Sequence, residues 1–140
     1  MQKWIPEVPN TLGVDRGEIR LTGSECPSCN RVYFPAMKIC PDCLDDNQPM
    51  KIKILSEIGK IYSCSIAQVA PSGYDVPHVQ AYIDLSEGVR LFTLLVEYGD
   101  GNKLKTGLFA KLVIVRIGED EEGRERLGYR FRPVFEEDER

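Results

Sequence analysis

Four of the five cysteines stand in two pairs of equal spacing, and thiols in this pattern bind metal ions. The pairs are Cys26-Pro27-Ser28-Cys29 and Cys40-Pro41-Asp42-Cys43, with ten residues between them. Two residues between paired cysteines allow both thiolates to point at one ion, and four thiolates form the tetrahedral shell that suits zinc. The sequence therefore predicts that Cys26, Cys29, Cys40 and Cys43 bind one metal ion.

The predicted metal is one structural zinc ion, with iron as the less favoured alternative. Iron competes because rubredoxin-type sites bind it through similar cysteine pairs. A catalytic zinc keeps an open fourth position, whereas four cysteines close the shell. Asn30, directly after the first pair, tolerates the left-handed backbone conformation of a tight turn. We expect the ion to stabilise a module too small to have its own hydrophobic core.

The elements that position the cysteines are predicted to be β-strands. Gly17–Gly23 is predicted to form a strand before the first pair, because Ile19 and Leu21 alternate with polar residues. The glycine-containing segment 86–88 is typical of a hairpin loop, and no segment longer than about ten residues has helical periodicity. The later predicted strands are Met50–Leu55, Gly59–Val69, His78–Leu85, Val89–Tyr98, Lys111–Ile117 and Leu127–Arg132. We therefore predict a mostly β chain, with a metal module followed by a five-stranded barrel of the OB-fold type.

The predicted organisation has four parts. An arm at 1–16 precedes the metal module at 17–49, the barrel at 50–135 and an acidic, disordered tail at 136–140. The turn segment Asp45–Pro49 separates module and barrel. The arm is expected to be irregular, with a short helix as an option. Its apolar residues leave two alternatives open, packing on the same chain or docking on another protein.

The charge distribution and the apolar runs exclude several classes of protein. The net charge is -4, and residues 56–117 contain six basic and six acidic side chains. No basic stripe is present, so binding of nucleic acid lacks its usual electrostatic driving force. The longest apolar runs are too short to span a bilayer, and residues 1–6 have no apolar core of a signal peptide. We expect a cytoplasmic protein that does not bind a membrane, and the charge balance disfavours nucleic acid as a partner.

No pair of side chains is predicted to be catalytic. Cys64 lies between serines within a predicted strand and is interpreted as a buried, inert thiol. His78 is the only histidine, and the sequence assigns it no carboxylate partner, which favours a structural or surface role. The loop Ser72–Pro77 is a candidate for contact with a partner or ligand. Arg130 and Arg132 share a strand face, for which solvent exposure is favoured over an anion site.

Several short segments accompany the cysteine pairs in a fixed order. They are Gly17-Glu18-Ile19-Arg20-Leu21, Phe34-Pro35, Gly59-Lys60-Ile61-Tyr62-Ser63, Pro77, Gly88-Val89-Arg90-Leu91 and Gly107-Leu108. With the two pairs, this order resembles a family of acyl-CoA-associated proteins that join a rubredoxin-like zinc ribbon to an OB-fold. Asn30 and Ala36 depart from the glycine and proline that are usual in the family, which affects the turns and not the ligands.

The resemblance implies a partner enzyme. Members of this family accompany thiolase-fold enzymes that act on acyl-CoA thioesters, and some are small subunits of thiolases, including the benzoylsuccinyl-CoA thiolase. It implies a non-catalytic subunit of a hetero-oligomer that supports assembly and acyl-CoA access. Three aromatic residues that the chain need not bury, Trp4, Tyr33 and Phe34, are predicted to bind the partner. The alternative function is binding of single-stranded nucleic acid, because OB-folds also do that.

Overall fold

The computed structural model describes residues 4–41, 49–67, 78–99 and 104–135, and these residues form ten strands. The strands are β1 (Trp4–Pro6), β2 (Leu12–Asp15), β3 (Glu18–Glu25), β4 (Val32–Tyr33), β5 (Lys51–Ile54), β6 (Ile58–Ala67), β7 (His78–Leu85), β8 (Arg90–Leu94), β9 (Phe109–Glu119) and β10 (Glu125–Val134). The prediction of a mostly β chain is confirmed. Within these ranges no helix could cross a membrane.

Several predicted segments lie at least in part outside the described residues, including the end of the predicted strand Gly59–Val69. The loop Ser72–Pro77 and the acidic tail 136–140 fall entirely in the gaps, and the boundary turn Asp45–Pro49 is described only at Pro49. Cys43 also lies in a gap. The predictions for these segments therefore remain predictions.

The chain forms two compact units. The first unit comprises Met1–Glu57, Glu87–Val89 and Ile114–Tyr129, and the second comprises Ile58–Ser86, Arg90–Val113 and Arg130–Arg140. Strands β9 and β10 contribute residues to both units.

In the first unit, β3 is the central strand of a four-stranded sheet. Its first half pairs with β2, with Leu12 opposite Leu21, and its second half pairs with both β4 and β5. The alternation that predicted this strand places Leu21 in the interior, where its side chain is 0% exposed. Because β3 runs directly into Cys26, this sheet fixes the position of the first cysteine pair.

The N-terminal arm differs from its prediction. Strand β1 pairs in parallel with β10, with Trp4 opposite Glu125, and the Glu7 amide donates to the Leu127 carbonyl at 2.7 Å. Strand β2 pairs with β3, so the expectation of an irregular arm with an optional helix was wrong. Proline at position 6 is compatible with β1 because β1 is an edge strand, where proline removes no ladder hydrogen bond. The backbone pairing favours packing on the same chain.

In the second unit, the sheet order is β9-β6-β7-β8, and all neighbouring strands are antiparallel. A parallel bridge between Leu95 and Phe131 closes the sheet, and the Val96 amide donates to the Phe131 carbonyl at 3.0 Å. Alternate residues of β7 point inward, and Phe131 and Ile83 are 0% exposed. Strands β6 to β10, together with this bridge, correspond to the five strands of the predicted barrel.

A candidate metal centre

The first cysteine pair lies in the loop of a tight hairpin. Strand β3 pairs with β4 through Ser24 opposite Tyr33 and Glu25 opposite Val32, so residues 26–31 connect them. The Cys26 amide donates to the Arg31 carbonyl at 2.9 Å, and the Asn30 amide donates to the Cys26 carbonyl at 2.8 Å. Asn30 has a φ of 63°, which confirms the left-handed conformation predicted for it.

Three of the four predicted ligands come together in the structure. The sulfur atoms of Cys26, Cys29 and Cys40 all lie within 4.8 Å of one another, and Cys29 Sγ and Cys40 Sγ are 3.7 Å apart. That distance excludes a disulfide, whose sulfurs are about 2.05 Å apart. A tetrahedral zinc with Zn–S bonds of about 2.3 Å separates its sulfurs by about 3.8 Å. The three thiols therefore fit a tetrahedral metal site, and Cys26 and Cys40 are 2% exposed.

Ser24 and Gly23, which no sequence motif singled out, position the segment that leads to Cys40. Ser24 is 0% exposed, and its hydroxyl accepts a hydrogen bond from the Met37 amide at 2.8 Å. Gly23 lies so close to the Tyr33 carbonyl that a Cβ atom at position 23 would collide with that oxygen. The available signal was the run of small residues Thr22-Gly23-Ser24 near the end of β3, where two chain segments must approach closely.

The predicted partner-binding aromatics all have positions within the first unit. The Tyr33 hydroxyl lies 4.0 Å from Cys40 Sγ, and the Phe34 ring packs edge to face on Tyr129 with centroids 5.5 Å apart. Trp4 is half-buried in β1. Their intramolecular contacts explain why they are only partly exposed, and their partner-binding role stays a prediction.

An open cleft of about 610 Å³ borders the first pair. Its described lining is formed by Asn30, Arg31, Val32, Tyr33, Glu87 and Gly88. The Glu87 carboxylate accepts hydrogen bonds from the Ser56 amide at 3.2 Å and the Ser56 hydroxyl at 2.7 Å. This carboxylate therefore holds the segment after β5 in place, and the described lining contains no thiol or imidazole that could act as a nucleophile or base.

The remaining candidates from the sequence lie on strands of the barrel. Cys64 is within β6 opposite Ala81 and is half-buried, so it is more exposed than predicted. His78 begins β7, and its side chain is outside the described part of the chain. Arg130 and Arg132 are both half-buried on β10.

Comparison with known families covers both predicted modules. Residues 15–47 match the model of the ChsH2 rubredoxin-like zinc ribbon domain, and residues 54–136 match that of the ChsH2 C-terminal OB-fold domain. The fold prediction of a zinc ribbon followed by an OB-fold is thereby confirmed. A zinc ribbon assignment and a cluster of three thiols agree on a metal-binding module.

Individual relatives match over most of their own length. A DUF35 domain-containing scaffold protein of Methanocaldococcus jannaschii is 37% identical over 117 residues, which are 81% of this chain and 82% of the relative. The benzoylsuccinyl-CoA thiolase subunit BbsA of Thauera aromatica is 28% identical over 81% of this chain and 76% of BbsA. A solved structure described as the Ltp2-ChsH2(DUF35) aldolase superposes with a TM-score of 0.65 at 27% identity and covers 83% of this chain and 86% of that chain.

These matches confirm the resemblance found in the sequence. The family models together span both cysteine pairs and all five barrel strands. The chain belongs to the ChsH2-type DUF35 family, in which a rubredoxin-like zinc ribbon precedes an OB-fold domain.

Proposed function

We propose that this chain is a non-catalytic, zinc-binding subunit of a hetero-oligomer with a thiolase-fold enzyme that acts on acyl-CoA thioesters. The observation that carries the proposal is the match to BbsA, a thiolase subunit, over 76% of the length of BbsA. A solved aldolase assembly that contains a DUF35 chain of the same fold supports it independently.

The zinc ribbon has a structural role in this proposal. One zinc ion is bound by Cys26, Cys29, Cys40 and Cys43, and iron is the less favoured alternative. The spacing of the three described thiols supports a closed tetrahedral shell. The ion holds residues 17–49 as a ribbon, residues 50–135 form the barrel, and residues 1–16 and 136–140 are the arm and the tail.

The partner supplies the chemistry, and this chain supports assembly and access of the acyl-CoA. Aromatic side chains often dominate protein interfaces. Trp4, Tyr33 and Phe34 are therefore proposed to contact the partner along the arm and the ribbon. The polar cleft beside the first cysteine pair lies on the same unit as these three residues.

Reconstitution tests the function. The full chain is purified with a tag, a thiolase-fold protein that copurifies is identified by mass spectrometry, and that protein is then produced separately. We expect a stable complex with about one zinc per chain, no thiolysis or condensation by this chain alone, and much lower activity of the partner alone than of the complex.

Two results would overturn the proposal. Turnover of acyl-CoA thioesters by the isolated chain would make it an enzyme. Failure to bind any thiolase-fold protein, combined with salt-sensitive binding of single-stranded DNA or RNA, would establish the alternative function.

A further inference from the structure

The outward face of the second unit carries exposed aromatic side chains on three adjacent strands. Tyr62 of β6, Tyr82 of β7 and Phe92 of β8 are 52%, 48% and 45% exposed. Tyr82 lies opposite Phe92 in the strand register, and their rings meet edge to face with centroids 5.7 Å apart. Tyr62 sits at a β-bulge between Ile61 and Ser63. We refer to Tyr62, Tyr82, Phe92 and the adjacent Arg90 as the aromatic strip.

Arg90 contacts the Tyr62 ring, and its charge is balanced by the Asp84 carboxylate. Its guanidinium carbon lies 3.4 Å from the centroid of the Tyr62 ring. The same guanidinium donates two hydrogen bonds to the Asp84 carboxylate, at 2.6 and 3.1 Å. These hydrogen bonds raise the pKa of Arg90, and partial desolvation opposes them. Because the contacts exist before any partner arrives, little side-chain freedom is lost on binding.

Lysines border the strip on one side. Lys60 lies opposite Phe109 in the register, and its ammonium is 5.3 Å from the centroid of that ring, which is 44% exposed. Two positions further along the same strand pair, Lys111 of β9 lies opposite Ile58 of β6, which is 52% exposed. On its other side Lys60 lies opposite Asp84, which in turn lies opposite Arg90, so this row has two cations and one carboxylate, and Lys111 adds a further positive charge.

We propose that the aromatic strip is a second docking surface for the thiolase-fold partner, in addition to the contacts proposed for Trp4, Tyr33 and Phe34, with carboxylates of the partner facing Lys60 and Lys111. This inference rests on the proposed function. The centres of protein interfaces are enriched in tyrosine, phenylalanine and arginine and poor in unpaired charge, as the strip is. Opposite charges at the border of an interface set orientation and association rate.

The neutralisation of Arg90 distinguishes a protein from a nucleic acid as the occupant. The corresponding strands of OB-folds bind oligonucleotides in other proteins, where aromatic rings stack on bases and cations face the phosphates. Here Asp84 occupies the guanidinium edge that a phosphate would need. The Asp84 carboxylate would repel a phosphate at this place, whereas an apolar protein surface has no negative charge to be repelled.

The first experiment compares two double variants of the full chain. Tyr82→Thr with Phe92→Thr removes the centre of the strip and retains strand propensity. Ile52→Thr with Ile117→Thr is the matched control, since these residues are 70% and 36% exposed on β5 and β9 of the first unit. The affinity for the separately produced thiolase-fold protein is measured by calorimetry. We expect the strip variant to raise Kd by at least about 30-fold and the control to stay within about twofold.

A second variant and a measurement on the wild-type chain complete the test. Lys60→Glu with Lys111→Glu is expected to lower the association rate and to weaken its dependence on salt. Hydroxyl-radical footprinting of the wild-type complex is expected to show protection of Tyr62, Tyr82 and Phe92, and it needs no variant that might not fold.

Each remaining outcome decides the proposal. If the wild-type chain binds the thiolase-fold protein and the strip variant binds it equally well, the docking surface is wrong and the proposed function stands. If the wild-type chain binds no thiolase-fold protein, both are overturned. Binding of oligothymidylate that the strip variant loses would assign the strip to nucleic acid, and a wild-type dimer that the strip variant dissociates would assign it to a second copy.

Discussion

The two units of the molecule are stabilised by different means. Among the described residues, the buried apolar side chains of the first unit are few, and two of them are the thiols of Cys26 and Cys40. The second unit buries apolar side chains from every strand that contributes to it. Its interior includes Ile61, Val79, Ile83, Leu91, Ala110 and Phe131.

The difference shows how a short chain can stabilise its fold and still leave side chains for contacts with other molecules. A unit that is closed by thiolates and a metal needs little apolar interior, so its side chains can serve other contacts. A barrel that is closed by its own core can leave one face of its sheet exposed. We therefore expect the two units to respond to different perturbations, and three substitutions test this comparison.

The largest effect is expected from Cys40→Ser. It removes a buried thiol from the cluster, and zinc sites of this kind contribute about 10–16 kcal/mol of binding free energy in small peptides. Elemental analysis should show loss of about one zinc per chain, and the ribbon should unfold while most of the β signal in circular dichroism remains. Cys64→Ser is the control and should retain the metal. Full zinc content in the Cys40→Ser protein would contradict the assignment of the site.

Phe131→Ala is the converse test in the second unit. Its side chain is 0% exposed, and removal of a buried phenylalanine costs about 3–5 kcal/mol because a cavity remains. Urea unfolding followed by circular dichroism should show that loss, while the zinc content of the folded protein stays at the wild-type value. Ile66→Ala is the matched control, since Ile66 is 52% exposed. Loss of zinc from the folded Phe131→Ala protein would show that the two units are not stabilised separately.

Asp120→Asn should have the smallest effect, in the turn between β9 and β10. Partial desolvation opposes ionisation of Asp120, but hydrogen bonds from Arg124 and the Glu122 amide outweigh it and lower the pKa of the carboxyl from its ordinary value of 3.8. The stabilisation is therefore fully present above pH 3.8 and disappears as the pH falls through the lower pKa of the folded state.

The measurement for Asp120 is the difference in Tm between wild type and variant across pH. We expect a small decrease in Tm for Asp120→Asn at neutral pH that vanishes in strong acid. Glu121→Gln removes the same charge from the exposed tip of the turn and should leave Tm unchanged. A Tm difference that persists at the lowest pH would exclude the ionised carboxylate as its source.

The sequence predicted the features that depend on local pattern. The spacing of the cysteines predicted the thiol cluster, and alternation predicted strands at β3, β5 and β10, because inward and outward side chains alternate along a strand. Strand-type composition, a glycine-containing hairpin loop and a short apolar run predicted β6 to β9. Asn30 was interpreted correctly for the same reason, since its backbone conformation depends on its immediate neighbours.

Features that depend on distant residues were not predicted. Strand β1 has three residues, too few to show a periodic pattern, so its pairing with β10 had no signal in the sequence. The role of Ser24 becomes visible only when the segment before Cys40 folds against it. The aromatic strip had a signal that was overlooked. Tyr82 and Phe92 stand at outward-facing positions of β7 and β8, where polar residues are usual. Their neighbours Ala81, Ile83 and Leu91 are the buried residues of these strands.

The pairing of β1 with β10 has a consequence for synthesis of the protein on the ribosome. Trp4 is translated long before its partner Glu125, because strands β2 to β9 lie between them in the chain. Strand β1 therefore stays without its neighbour until β10 has been translated, and the first unit cannot be completed before β10 has left the exit tunnel. A ribosome stalled after β9 would hold a nascent chain in which the backbone of β1 is open to chaperones.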